Sequence, residues 1–116
     1  MKILITNDFG AGWSTWNTPN EDLRKFLLTY QPIIDFIEAG NTFTHNDCHN
    51  PNEVHPLLQQ LTKDITDRWE DLYFYLGGAE NLTVRDIEQG SAFRVNDYDG
   101  KESIELLCLD NFDLAL

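Results

Sequence analysis

Every histidine in the chain, and one of its two cysteines, lies in the stretch Thr44-His45-Asn46-Asp47-Cys48-His49-Asn50-Pro51-Asn52-Glu53-Val54-His55. Imidazole nitrogen and thiolate sulfur are the groups that hold zinc, usually four of them in a tetrahedron. His45, Cys48, His49 and His55 supply four such groups within eleven residues. The spacing His-x2-Cys-His-x5-His is compact, and it is not one of the standard zinc-finger spacings. Neighbouring Cys48 and His49 can reach one ion only if the loop folds tightly around it. Asp47 could replace His45 as an oxygen ligand, and Cys108 or a distant carboxylate could complete the set. The competing reading is a solvated loop, in which His55 caps or packs the start of a helix and Cys48 is a small buried residue.

A hydrolytic zinc keeps an open position and needs a general base beside it. Glu53 or Asp47 would be the base, but the chain has no His-Glu-x-x-His helix and no deaminase pairing of His-x-Glu with Cys-x-x-Cys. Cys48 and His49 are sequence neighbours, whereas a nucleophilic dyad is normally assembled from distant segments. The residues therefore point to a closed structural zinc that pins a loop, with no catalytic residue. A small metal-dependent hydrolase is the alternative.

The elements that must position this stretch follow from hydrophobic spacing. Ile3-Leu4-Ile5 suits a buried strand. The loop Asn7-Asp8-Phe9-Gly10-Ala11-Gly12 lacks the Lys-Ser/Thr of a phosphate loop and the third glycine of a dinucleotide site. Thr18-Pro19-Asn20-Glu21 reads as a capping box with Pro19 at the first helical position. Leu23, Phe26, Leu27, Tyr30, Ile34 and Ile37 then form one apolar stripe, which Pro32 should kink or split and Gly40 should end. Val54, Leu57, Leu58, Leu61, Ile65 and Trp69 predict a second helix, regular from Pro56 onward with a single turn before it.

Beyond Trp69 the pattern changes to short strands: Leu72–Leu76, Leu82–Ile87, Ala92–Val95 and Ser103–Leu109, with Asp99-Gly100 as a hairpin turn. The expected fold is one α+β domain over residues 1–116. An N-terminal strand and two helices precede a mostly antiparallel sheet of three to four strands.

Eight basic residues face twenty acidic ones, a formal net charge of −12. Such a surface repels nucleic acid and anionic membrane and favours cations or basic partners. No apolar run approaches the length of a membrane span. The N-terminal apolar run is too short for a signal peptide, and two cysteines make no disulfide framework. Both features suit a reducing cytoplasm. Around the predicted hairpin, Asp97, Asp99, Glu102 and Glu105 have only Lys101 among them. This acidic edge, with Trp13 and Trp16 as aromatic contacts, is the expected partner surface; core packing is the other role open to the tryptophans.

Three pieces of the chain also carry a resemblance. They are the Lys2-Ile3-Leu4-Ile5 strand with its glycine-containing loop, the helix start His55-Pro56-Leu57, and the hairpin Phe93-Arg94-Val95 … Tyr98-Asp99-Gly100-Lys101-Glu102-Ser103-Ile104. Together they resemble a family of small phage- and prophage-encoded proteins. The acidic, zinc-loop version is most similar to the type II anti-CRISPR proteins of streptococcal phages, some of which are metalloproteins. The resemblance implies a non-enzymatic inhibitor in the host bacterial cytoplasm. It would bind a CRISPR effector nuclease of the host and block target-DNA loading, touching neither nucleic acid nor membrane. The third reading is a phage protein that binds some other basic host factor.

Overall fold

The computed structural model describes residues 1–17 and 20–107. Strand β1 (Lys2–Thr6) leads through a glycine-containing loop into a 3-10 turn, Ser14–Asn17. Among the described residues four helices follow: α1 (Glu21–Leu28), α2 (Gln31–Glu38), α3 (His45–His49) and α4 (Pro56–Arg68). A second 3-10 turn, Gly77–Asn81, precedes β2 (Leu82–Asp86), β3 (Ala92–Tyr98) and β4 (Lys101–Leu107). The class is α+β, as the hydrophobic spacing predicts. The four strands of the described residues pair antiparallel as two ribbons, β1 with β2 and β3 with β4. No helix among the described residues is long and apolar enough to cross a membrane.

The first predicted helix is split as Pro32 requires. It ends at Leu28, and α2 restarts at Gln31 with the proline in its first turn. There the missing N–H removes no helical hydrogen bond. Asn20 is the N-cap of α1, accepting from the Leu23 N–H at 2.9 Å. The capping role expected of Thr18 and the helical position expected of Pro19 lie outside the described residues. Gly40 follows α2 at φ +92°, where a side chain would be strained. Helix α4 starts at Pro56 and buries Leu58, Leu61 and Ile65 against Leu23, Leu27, Ile33 and Ile34.

Residues 72–76 form no strand. Leu72, Phe74 and Leu76 do alternate inward onto the core while Tyr73 is 85% exposed, so the period-2 signal is real. The backbone partner, however, is a side chain. Asn17 donates from Nδ2 to the Tyr75 carbonyl at 2.8 Å and accepts the Tyr75 N–H on Oδ1 at 2.7 Å. One amide thus does what a neighbouring strand would do.

The β3–β4 hairpin turns at Asp99 (φ +52°) and Gly100 (φ +87°), the two positive-φ positions of a tight two-residue loop. A Cβ at Gly100 would run into the Gly10 carbonyl. The turn end of the hairpin is locked to β1 by Glu102, which is 3% exposed. Its Oε1 accepts from the Thr6 N–H at 2.9 Å, and its Oε2 from the Trp13 and Thr15 N–H groups at 2.9 and 3.0 Å and from the Thr15 hydroxyl at 2.6 Å. This corrects the placement of Glu102 on an exposed acidic edge. Trp13 is corrected in the same way: it is fully buried and donates its Nε1–H to the Leu27 carbonyl at 2.9 Å. Replacing Glu102 by Ala leaves buried N–H groups unpaired and should cost about 3 kcal/mol or more in urea unfolding. Glu102→Gln, which turns an amide N–H toward one donor, should cost roughly 2 kcal/mol. Loss of less than about 0.5 kcal/mol in both would show the carboxylate to be dispensable.

Candidate metal centre

The stretch that holds the histidines is not a loop throughout. Thr44 and Asp47 form a capping box: the Thr44 Oγ1 accepts from the Asp47 N–H at 3.1 Å, and the Asp47 Oδ2 accepts from the Thr44 N–H at 2.8 Å. This starts the short helix α3, and it occupies the Asp47 carboxylate as a cap rather than a ligand. His45 and His49, four residues apart, then share one helical face. Their rings lie 4.3 Å apart at 32°.

The third member comes from the far side of a long excursion. Glu80, in the turn Gly77–Asn81, places Oε2 at 3.2 Å from His45 Nδ1 and Oε1 at 3.8 Å from His49 Nε2. One ligand atom from each of the three residues lies within 4.8 Å of the others. A tetrahedral ion with bonds near 2.0–2.1 Å would separate such atoms by roughly 3.3 Å, close to the spacing the three residues already have. The His45–His49–Glu80 cluster can hold a metal ion. Three ligands leave one position for water or an outside group. Beside His49 and Cys48 lies a hollow of about 250 Å³ with Val54, Leu58 and Phe74 among its walls.

Two of the expected ligands do other work. His55 is the N-cap of α4, its Nδ1 accepting from the Leu57 N–H at 3.1 Å. Its ring packs against Phe36 and Phe43, each centroid 5.0 Å away. Cys48 faces inward and is half-buried against the core. Burial, and then the charges of Glu80 and Asp47, push its thiol up to about 12, against a smaller opposing effect of a Glu80 backbone hydrogen bond. The thiolate that would bind metal is disfavoured there. Cys108 lies outside the described residues.

Of the expected partner surface, Asp97, Asp99 and Glu105 are exposed. Trp16 is 44% exposed and stacks on Tyr75 at 5.8 Å. Two further exposed aromatics sit at the hairpin, Phe9 (53%) and Tyr98 (77%), their rings edge to face at 6.2 Å. Lys101 Nζ lies 5.5 Å from the centre of the Phe9 ring. No family model, curated protein or solved structure matches the chain.

Titration calorimetry with zinc should separate the ligands from their neighbours. Glu80→Gln and His49→Ala should weaken binding about 100-fold or more, while Cys48→Ser and His55→Ala leave it within about threefold. His55→Ala should instead lower stability by roughly 1 kcal/mol through the lost cap. Equal binding by wild type and Glu80→Gln would exclude this ligand set. The Cys48 thiol is protonated throughout the neutral range. Peptide mapping should therefore find it alkylated at pH 8 at least about tenfold more slowly in native protein than in urea. Equal rates would contradict its burial.

Proposed function

We propose that the protein is a non-enzymatic phage inhibitor that binds a type II CRISPR effector nuclease and keeps target DNA out, with a structural zinc at His45, His49 and Glu80. The observation that carries the reading is the chemistry of the β3–β4 hairpin. Asp97, Asp99 and Glu105 stand exposed there beside Phe9 and Tyr98. Effectors of this kind hold nucleic acid in positively charged channels. A carboxylate-bearing surface with aromatic contacts can compete for such a channel by charge complementarity, and a net charge of −12 supports its approach. The motif resemblance points the same way.

Zinc suits the donor set, since two imidazoles and a carboxylate are a familiar zinc combination. The ion would tie α3 to the turn at Gly77–Asn81 and so stiffen the surface between them. A small metal-dependent hydrolase is the second reading, favoured by the open fourth position and the hollow beside His49. That reading requires substrate turnover that chelation abolishes.

The test is a DNA-loading assay with a purified type II effector. Stoichiometric protein should lower target-DNA occupancy. Asp97→Lys combined with Glu105→Lys should weaken the effect about tenfold or more, with most of the loss in the association rate. Asp99→Asn, which keeps a residue tolerant of positive φ, should weaken it less. No binding to the effector at low salt would end the proposal.

A further inference from the structure

Three open hollows adjoin one another beside α1, each sharing a wall with the next. The first, about 550 Å³, has Lys25, Phe26, Thr29, Arg68 and Trp69 in its walls, with Asp22 at its side. The second, about 270 Å³, shares Lys25 and Thr29 with the first and adds Met1, Leu28 and Phe93. The third, about 500 Å³, shares Phe93 with the second and brings in Arg24 and Arg94, with Asp97 beside them. Four of the eight cationic side chains of a strongly acidic chain therefore converge on one groove, alternating with apolar surface.

Most of these cations are uncommitted. Arg24 pairs with Glu21 at 2.6 Å, whereas Lys25, Arg68 and Arg94 make no ion pair among the described residues. The Arg68 guanidinium is held 5.4 and 5.2 Å from the ring centres of Phe26 and Trp69. Aromatic contact of this kind orients the group and leaves its N–H donors free. Lys25 and Arg68 also stand in the last turns of α1 and α4, where a cation complements the helix dipole. That role accounts for neither Arg94, which is on a strand, nor the apolar floor made by Met1, Leu28 and Phe93.

Cations at both ends of a groove and an apolar middle match a chain whose carboxylates and apolar side chains alternate. A nucleic acid would bring phosphate to the apolar middle, where Met1 and Phe93 offer it no partner. We propose that this groove binds an extended acidic peptide segment of a partner protein. Carboxylates of the segment pair with Lys25 and Arg68 at one end and with Arg24 and Arg94 at the other, and an apolar side chain between them covers Met1 and Phe93. The site is separate from the acidic hairpin proposed to meet a basic partner, and it stands if that proposal fails.

The probe is a synthetic peptide of about eight residues alternating Asp with Leu and Phe, roughly 26 Å when extended. It is titrated into the full chain labelled with nitrogen-15. Amide shifts should concentrate at Lys25, Thr29, Arg68, Phe93 and Arg94. Lys25→Ser with Arg68→Ser, and separately Arg94→Ser, should each weaken binding by about tenfold, the pair at a melting temperature lowered by the lost helix-end charges and ring contacts and Arg94→Ser at an unchanged one. A peptide with Lys in place of Asp and a short single-stranded oligonucleotide should shift nothing in the groove. Shifts that fall elsewhere or are absent at millimolar peptide would overturn the proposal. So would binding that both variants keep, or tighter binding of the oligonucleotide.

Discussion

The carboxylate of Glu102 is buried, makes no ion pair among the described residues, and is held by hydrogen bonds. Three backbone N–H groups and one hydroxyl converge on its two oxygens. A carboxylate is the one side chain that can accept so many donors at once without offering a competing proton. Unpaired, each of those buried N–H groups would carry a desolvation cost of roughly 1–3 kcal/mol. The donors belong to Thr6 at the end of β1 and to Trp13 and Thr15 at the 3-10 turn, so one side chain of β4 sets where three segments meet. Among the described residues the two ribbons share no ladder, and Glu102 stands where a continuous sheet would have carried the hydrogen bonds. The Thr6 hydroxyl on the Gly100 carbonyl and the Gly10 N–H on the Asp99 carbonyl reinforce the same junction.

From that junction a chain of hydrogen bonds runs to the histidines. The Trp13 carbonyl, fixed by the Glu102 contact to its own N–H, accepts from Asn17 Nδ2 at 2.7 Å. Asn17 in turn holds both backbone groups of Tyr75. Two residues on begins the turn Gly77–Asn81, which carries Glu80. Gly78 packs so closely on the Gly12 carbonyl that no Cβ would fit between them. The position of Glu80, and with it the metal cluster, is set by the same contacts that aim the hairpin.

The parts of this arrangement that were legible in the residues are those governed by local rules. Pro32 split a helix, Asp99-Gly100 turned a hairpin, and the apolar spacing around Leu58 and Leu61 placed α4. Even the start of α3 was written locally. Thr44-His45-Asn46-Asp47 has the form of a capping box, and it would have put His45 and His49 on one helical face. The rest depends on partners distant in sequence. Nothing near Glu80 marks it as facing His45, 35 residues away. Glu102 reads as one more surface acid in a charged hairpin until Trp13 and Thr15 are brought to it. Residues 72–76 have the alternation of a strand, but a side-chain amide from Asn17 replaced the strand that would have completed the ladder.

The histidine-rich stretch divides its chemistry by backbone position rather than by residue type. A helix as short as α3 is not stable by itself, since nucleation is costly and few intrahelical bonds repay it. It persists because the capping box closes its first turn, Cys48 packs its inner face on the core, and the His55 N–H donates to the Asp47 carbonyl at 3.1 Å. His55 and Cys48 therefore act by holding the backbone on which the other two histidines stand. This leaves His45 and His49 outward with their rings 4.3 Å apart, so that an ion held there would spend less of its binding free energy on ordering its ligands. A fourth protein ligand from within the stretch would have to leave the helix cap or the core to reach the metal. The fold thus favours a three-ligand centre over the closed four-ligand one that the spacing alone suggested.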